Sequence, residues 1–193
     1  GLTIASSSIE AQTSTGLLIT GCDGDNVQFG VVAARSPRTK IADCTMATIA
    51  RGAAIGRPFK LSGGSNFSTL TGCTASDSNL TALRVENSSY CTISGNTFVS
   101  HSLGENGAGA ISCAGDALLC HHNTIAGNAI YGSPTANSVG IAFVYTVAGI
   151  DTYNAAVGNI ISGCKRYGVY CGSSSNTIVG NTIGSDDSAA ILY

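Results

Sequence analysis

The sequence predicts an all-β fold, a right-handed parallel β-helix of about seven coils with three short strands per coil and Asn and Cys ladders at the turns. Three observations carry that expectation. One short pattern recurs along the whole chain, its segments alternate like strands, and a Gly followed by Asn or Cys marks a bend in almost every repeat.

The pattern is clearest at the C-terminal end, where NTIVGNTI runs from Asn176 to Ile183. NAAVGNII from Asn154, NTIAGNAI from Asn123 and CTISGNTF from Cys91 repeat it. STLTGCTA from Ser68, TKIADCTM from Thr39 and LLITGC from Leu17 hold the register more loosely. Taking the Gly, or Asp43 in its place, as marker gives positions 21, 43, 72, 95, 127, 158 and 180, with gaps of 22, 29, 23, 32, 31 and 22 residues. A period of that length with unequal insertions is the signature of a solenoid in which each repeat is one coil.

The repeats lack the 3.6-residue spacing and the runs of good formers that helices need. Their Ile, Thr, Val and Ser alternate as in short strands, two of which meet at the Gly-Asn step, where both residues tolerate left-handed backbone. A third strand lies upstream of each marker, in FKL (Phe59–Leu61), LRV (Leu83–Val85), GAISC (Gly109–Cys113), VGIAF (Val139–Phe143), YGVYC (Tyr167–Cys171) and the closing AAILY.

Stacking the repeats puts Asn96, Asn128, Asn159 and Asn181 in one column, continued by Cys22, Cys44 and Cys73. A second column holds Asn123, Asn154 and Asn176 in line with Cys91 and Ser68. Amides one strand spacing apart, about 4.8 Å, can bond to one another and satisfy polar groups buried at the turns, so both columns are read as structural.

On these residues the sequence resembles the pectin-lyase-like superfamily, and within it the β-helices of bacteriophage tailspikes. The resemblance spans nearly the whole chain. It specifies architecture and no particular activity. It implies a homotrimer, made in the host cytoplasm and carried on the virion tail, that binds a bacterial surface polysaccharide, capsule or O-antigen, and depolymerises it. A non-catalytic receptor-binding or structural module, and a secreted, extracellular pectate-lyase-like enzyme, are the alternatives.

Composition fits one β-helix domain over residues 1–193. The 193 residues include 25 Gly, 3 Pro and no Trp, with 44% hydrophobic and 10% charged residues and a formal net charge of −2. A surface so poor in cations does not attract nucleic acid by charge. No apolar run is long enough to cross a bilayer, and GLTIASSSIE does not read as a signal peptide. Both ends fall within the repeat, so the expectation is a piece of a longer chain. The eight Cys sit at ladder or core positions and are read as reduced, buried thiols; no CxxC pair suggests zinc, and no metal or cofactor is expected.

Function is sought on the outer faces. Alternation along the third strand points Lys60, Arg84, Glu86, Ser112 and Tyr170 outward, and with them Ala110, Gly140, Ala142 and Gly168, a face of small residues flat enough to admit a glycan or a second subunit. Hydrolysis of a glycosidic bond needs one carboxylic acid and one carboxylate at roughly 5 to 10 Å, for which Glu86 with Glu105 or Asp116 are the candidates. Elimination from a uronic acid needs a base and a cation, for which Arg84, Lys60 and His101 are candidates. The plainer reading of Glu86 and Arg84 is a solvated pair on a strand surface. Tyr145, Tyr153, Tyr167 and Tyr170 offer rings that could stack on a sugar. His121 and His122 lack further metal ligands; Asp23 and Asp25 in CDGDN, like Asp186 and Asp187, read as turn residues, and Asp151 as part of a groove wall.

Overall fold

A computed structural model describes residues 2–4, 9–25, 29–47, 57–101, 109–115, 120–133, 138–145, 152–184 and 191–192. Every strand is parallel to its neighbours. They form three sheets of eight, eight and seven strands, and each sheet takes every third strand of the chain. The chain is a right-handed parallel β-helix of about seven coils, as the repeat predicts.

Sheet 1 follows the marker and includes Thr74–Ser76, Thr97–Val99, Ala129–Tyr131 and Ile160–Ser162. Sheet 2 is the third strand of each coil and includes Ile9–Gln12, Phe29–Ala34, Arg57–Ser62, Leu83–Glu86, Gly109–Gly115, Val139–Tyr145 and Tyr167–Cys171. Sheet 3 precedes the marker and includes Lys40–Ala42, Thr69–Thr71, Thr92–Ser94, Thr124–Ala126 and Ala155–Val157.

Because side chains alternate along a strand, one column per sheet fills the interior. In sheet 2 the partners Val31, Phe59, Leu83, Ile111, Ile141 and Val169 are all fully buried. Ile41, Leu70, Ile93 and Ile125 do the same in sheet 3, and Met46, Ala75, Phe98, Ile130 and Ile161 in sheet 1. All eight Cys are buried, and none forms a disulfide. Burial pushes the Cys91 thiol up to about 12, the behaviour of a packed thiol and not of a nucleophile.

The marker column makes the corner between sheets 3 and 1. Gly21, Asp43, Gly72, Gly95, Gly127, Gly158 and Gly180 all hold φ between 53° and 64°, the left-handed region that Gly enters without steric cost. The next residue carries the ladder. Asn96 donates from Nδ2 to Asn128 Oδ1 at 2.9 Å, Asn128 to Asn159 at 2.9 Å and Asn159 to Asn181 at 2.8 Å. At the other end Cys44 and Cys73 return their thiols to Ala42 O and Thr71 O in their own coils.

The second column is a ladder too. Asn154 Oδ1 accepts from the Asn123 backbone at 2.9 Å, and Asn123 Oδ1 from that of Cys91 at 2.9 Å. Beside it runs a Ser ladder that the repeat did not reveal: Ser36 N donates to Ser65 Oγ and Ser65 N to Ser88 Oγ, each at 3.1 Å.

Two expectations are corrected. CDGDN is not a turn, since Cys22–Asp25 is a strand of sheet 1 with Asp23 and Asp25 exposed. The small residues Ala110, Gly140 and Gly168 do not face outward. With Pro58 and Ala82 they form a buried column where the chain enters sheet 2, and a Cβ on Gly140 would lie 2.5 Å from both Gly168 O and Ile161 Cγ2. The alternation rule fails because the chain bends into the sheet there. Ser112 and Ala142 do occupy the outward column but are 5% and 0% exposed, so no open flat face exists at that level.

Candidate functional site

The outer face of sheet 2 carries two columns. One contains Glu10, Val32, Lys60, Arg84, Ser112, Ala142 and Tyr170; the other contains Gln12, Ala34, Ser62, Glu86 and Ala114. The register brings Lys60, Arg84 and Glu86 together. Lys60 Nζ lies 2.7 Å from Glu86 Oε2, and Arg84 reaches Oε1 from Nη2 at 2.9 Å and from Nε at 3.1 Å. Burial works against the charge of Glu86. The hydrogen bond from Lys60 and the positive charges of Arg84 and Lys60 outweigh it and hold the carboxyl below its usual range.

That electrostatic balance decides what Glu86 can do. A general acid must carry a proton near neutral pH and so needs a raised pKa. Glu86 stays ionised, which suits a base, a nucleophile or a plain ion pair. Glu105 and Asp116, its candidate partners, lie outside the described residues, as do Asp151, Asp186, Asp187 and the Tyr145 side chain.

His101 is corrected from a sugar-binding residue to a core one. It follows the sheet 1 strand Thr97–Val99 and is 0% exposed, and its Nε2 donates to Val139 O at 3.0 Å, which leaves Nδ1 as an acceptor with no partner among the described residues. Burial lowers its pKa to about 4, against a smaller opposing effect of the bond to Val139. In the unfolded chain the imidazole titrates near 6.5, so between about 6.5 and 4 protons bind the unfolded chain in preference. Stability is expected to fall as pH drops through that window, by about 3 kcal/mol in all. Urea unfolding at pH 7 and pH 4.5 checks this, and His101→Gln should flatten the dependence in that window.

Tyr170 does lie on the outer face, three rungs from Arg84 and hence roughly 14 Å away. Its ring stacks on Tyr167 with centroids 5.9 Å apart, and Arg166 sits 5.2 Å from the centre of the Tyr167 ring.

A concave part of the described surface lies where the coils leave sheet 2. Four successive coils contribute the same two positions: Gln12 and Thr13, Ala34 and Arg35, Ser62 and Gly63, Glu86 and Asn87. They line an open groove of about 410 Å³. The second position of each pair is left-handed, with φ of 55°, 53°, 63° and 49°. Each of these four residues donates its N–H to the outermost carbonyl of the adjacent rung, as Arg35 does to Ser62 O at 2.9 Å and Gly63 to Glu86 O at 3.0 Å. This backbone is therefore pinned, with Thr13 and Arg35 exposed and Asn87 half-buried.

At one end the groove continues into a second hollow of about 350 Å³, lined by Gly63, Gly64, Asn66, Asn87, Ser89, Tyr90 and His121. Tyr90 belongs to a column just before the second ladder. Phe67, Tyr90, His122 and Tyr153 hold φ of 57°, 58°, 55° and 51°, unusual for large side chains, and their rings stack at 5.0, 5.0 and 5.2 Å. Phe67, Tyr90 and Tyr153 are 56%, 45% and 53% exposed. Both faces of the Tyr90 ring are taken, by Phe67 and His122, so it turns only its edge to the hollow. His121 meets Tyr90 edge-on at 5.3 Å, and its Nδ1 lies 2.8 Å from His122 Nδ1, so one ring donates to the other. Burial, then the neighbouring His122, lowers the His121 pKa.

Sequence reading missed this ridge although a signal was present: the residue before Ser68, Cys91, Asn123 and Asn154 is Phe, Tyr, His and Tyr in turn. Among the described residues no group of three or more His, Cys, Asp or Glu could hold a metal ion, and no helix is long and apolar enough to cross a membrane.

Three stacked parallel sheets, turn ladders and an outward groove define the class, a parallel β-helix with a concave solvent-facing seam. The sequence pattern of the right-handed β-helix region family matches residues 59–193, and the chain belongs to that family. No protein of curated function matches it in sequence. Among solved structures it is similar to PfbA, a surface adhesin of Streptococcus pneumoniae, at 11% identity and a TM-score of 0.60 over 93% of this chain and 53% of that one. It is also similar to DFA-IIIase from Arthrobacter chlorophenolicus A6 without its lid, at 11% identity and a TM-score of 0.50 over 90% of this chain and 52% of that one. The chain spans about half the length of each, and at such identity the likeness is one of fold.

Proposed function

We propose that this β-helix is a glycan-binding protein of the tailspike kind, holding an extended bacterial surface polysaccharide, capsule or O-antigen, in the groove from Gln12 to Tyr90. The observation that carries the reading is the groove's composition. Four rungs, spanning roughly 14 Å, present Gln12, Thr13, Arg35, Ser62 and Asn87, and a ring edge closes one end. A repeating polar chain is matched by a repeating polar seam, with few charges to reject it.

The ionised, doubly paired Glu86 favours binding over cleavage. Depolymerisation is the second reading, in which Glu86 serves as base or nucleophile and an acid comes from Glu105 or Asp116. The eight buried thiols suit folding in a reducing host cytoplasm. Exposed Leu18, Ile160 and Val179 flank the Gly-Asn corner, away from the groove, and would suit the contacts of a homotrimer.

Affinity electrophoresis through gels containing purified capsular and O-antigen polysaccharides tests the reading, with glycan length followed in parallel. At least one polysaccharide should retard the wild type, and Asn87→Ala with Tyr90→Ala should abolish retardation while the fold persists. Retardation that survives both substitutions would move the site elsewhere. Shortening of the glycan, lost in Glu86→Gln, would establish cleavage. Three copies in sedimentation would support the trimer.

A further inference from the structure

Two charged side chains line the groove, Arg35 and Glu86, and they are not equivalent. Lys60 and Arg84 both spend their charge on Glu86, at 2.7 and 2.9 Å. Arg35 lines the same groove, is exposed, and makes no ion pair with any described residue. Its backbone is held left-handed at φ 53° by the bond to Ser62 O, and its stem lies over Gly63, where a Cβ would come within 3.3 Å of Arg35 Cγ. Glycine at 63 thus gives the Arg35 stem a floor along the groove.

The local charge follows. The lining itself carries Arg35 and Glu86, and adding Lys60 and Arg84, which pair with Glu86 from beside it, gives a local sum of +2 on a chain whose formal net charge is −2. Glu10, which accepts a hydrogen bond from Gln12, lies two rungs from Lys60 in the outer column; counting it still leaves +1. The remaining polar lining of the first hollow, Gln12, Thr13, Ser62 and Asn87, is uncharged.

Resting on the glycan-binding reading, we infer that the polysaccharide is acidic and that the Arg35 guanidinium takes its anionic group, a uronate carboxylate or a phosphodiester. The planar fork of Arg matches two oxygens of either group at once, which a Lys or an amide does not. Glu86 does not repel that group, because its own charge is already balanced by two cations. Specificity would then come from Arg35, and the neutral part of the repeat would meet Gln12, Thr13 and Asn87.

The test uses the polysaccharide that the protein binds, in three forms: native, carboxyl-reduced so that uronates become neutral hexoses, and stripped of phosphodiesters with hydrofluoric acid. Wild type, Arg35→Gln and Lys40→Gln are compared by calorimetry, Lys40 being an exposed cation on the sheet 3 strand Lys40–Ala42, away from the groove. One of the two treatments should weaken wild-type binding by about tenfold or more, and Arg35→Gln should lose a similar factor on native polymer and be indifferent to the treatment. Lys40→Gln should behave as wild type. Carboxyl reduction acting alone identifies a uronate, and hydrofluoric acid acting alone a phosphodiester. Undiminished binding of the neutralised polymer, or an Arg35→Gln variant that binds as wild type, overturns the inference and leaves the glycan-binding reading standing. Failure of every polysaccharide to bind overturns both.

Discussion

Asn128→Ala is expected to lower the unfolding free energy by about 3–5 kcal/mol and the melting temperature by roughly 10–15 °C for a chain of this size. Asn128 is 1% exposed and sits in the middle of the ladder. Its Oδ1 accepts from the Asn96 backbone N–H at 3.0 Å and from Asn96 Nδ2 at 2.9 Å, while its own Nδ2 donates to Ile93 O at 3.1 Å and Asn159 Oδ1 at 2.9 Å. Truncation leaves two buried donors of Asn96 without partners and takes the amide bond from the Ile93 carbonyl. Each orphaned group costs about 1–3 kcal/mol, far more than the bond itself contributes. Asn181→Ala supplies the comparison, because that residue is only half-buried and its loss should cost markedly less. Thermal unfolding followed by circular dichroism reads both. Equal and small effects would mean that the ladder is decoration on a helix held by its apolar core.

Gly140→Ala is expected to be worse, a loss of more than about 3 kcal/mol or a failure to fold. The added methyl would sit 2.5 Å from Gly168 O and 2.5 Å from Ile161 Cγ2. The first contact is with the backbone of the next coil, which cannot retreat without pulling two rungs of sheet 2 apart. Gly184→Ala is the control, since the nearest atom to a Cβ there is Ser162 Cβ at 4.0 Å, and it should stay within about 1 kcal/mol of wild type. Soluble yield and urea unfolding distinguish the two.

These two sites also show what a single sequence can carry. The ladder was legible because a ladder needs the same letter at the same place in each coil, and Asn96, Asn128, Asn159 and Asn181 have it. The column of Pro58, Ala82, Ala110, Gly140 and Gly168 was not. Small residues there read as an open outer face, whereas they are small because coils approach too closely for anything larger. His101 was misread for a related reason: a lone polar residue after a strand looks exposed, and only the packing of Val139 against it makes it a core group.

The candidate site divides in the same way. Lys60, Arg84 and Glu86 could be placed side by side from strand register, because alternation holds within a strand. The groove could not, because Thr13, Arg35, Gly63 and Asn87 share a left-handed backbone position and no side-chain chemistry. Their common feature is a dihedral angle, which leaves no repeated letter in the sequence.

The most direct test of the account is a crystal structure with an oligosaccharide cut from the tightest-binding polysaccharide. Sugar density is expected along Gln12, Arg35, Gly63 and Asn87, ending at Tyr90, with an acidic group on Arg35. Density on the outer faces of sheet 1 or sheet 3, with the groove filled only by solvent, would contradict it.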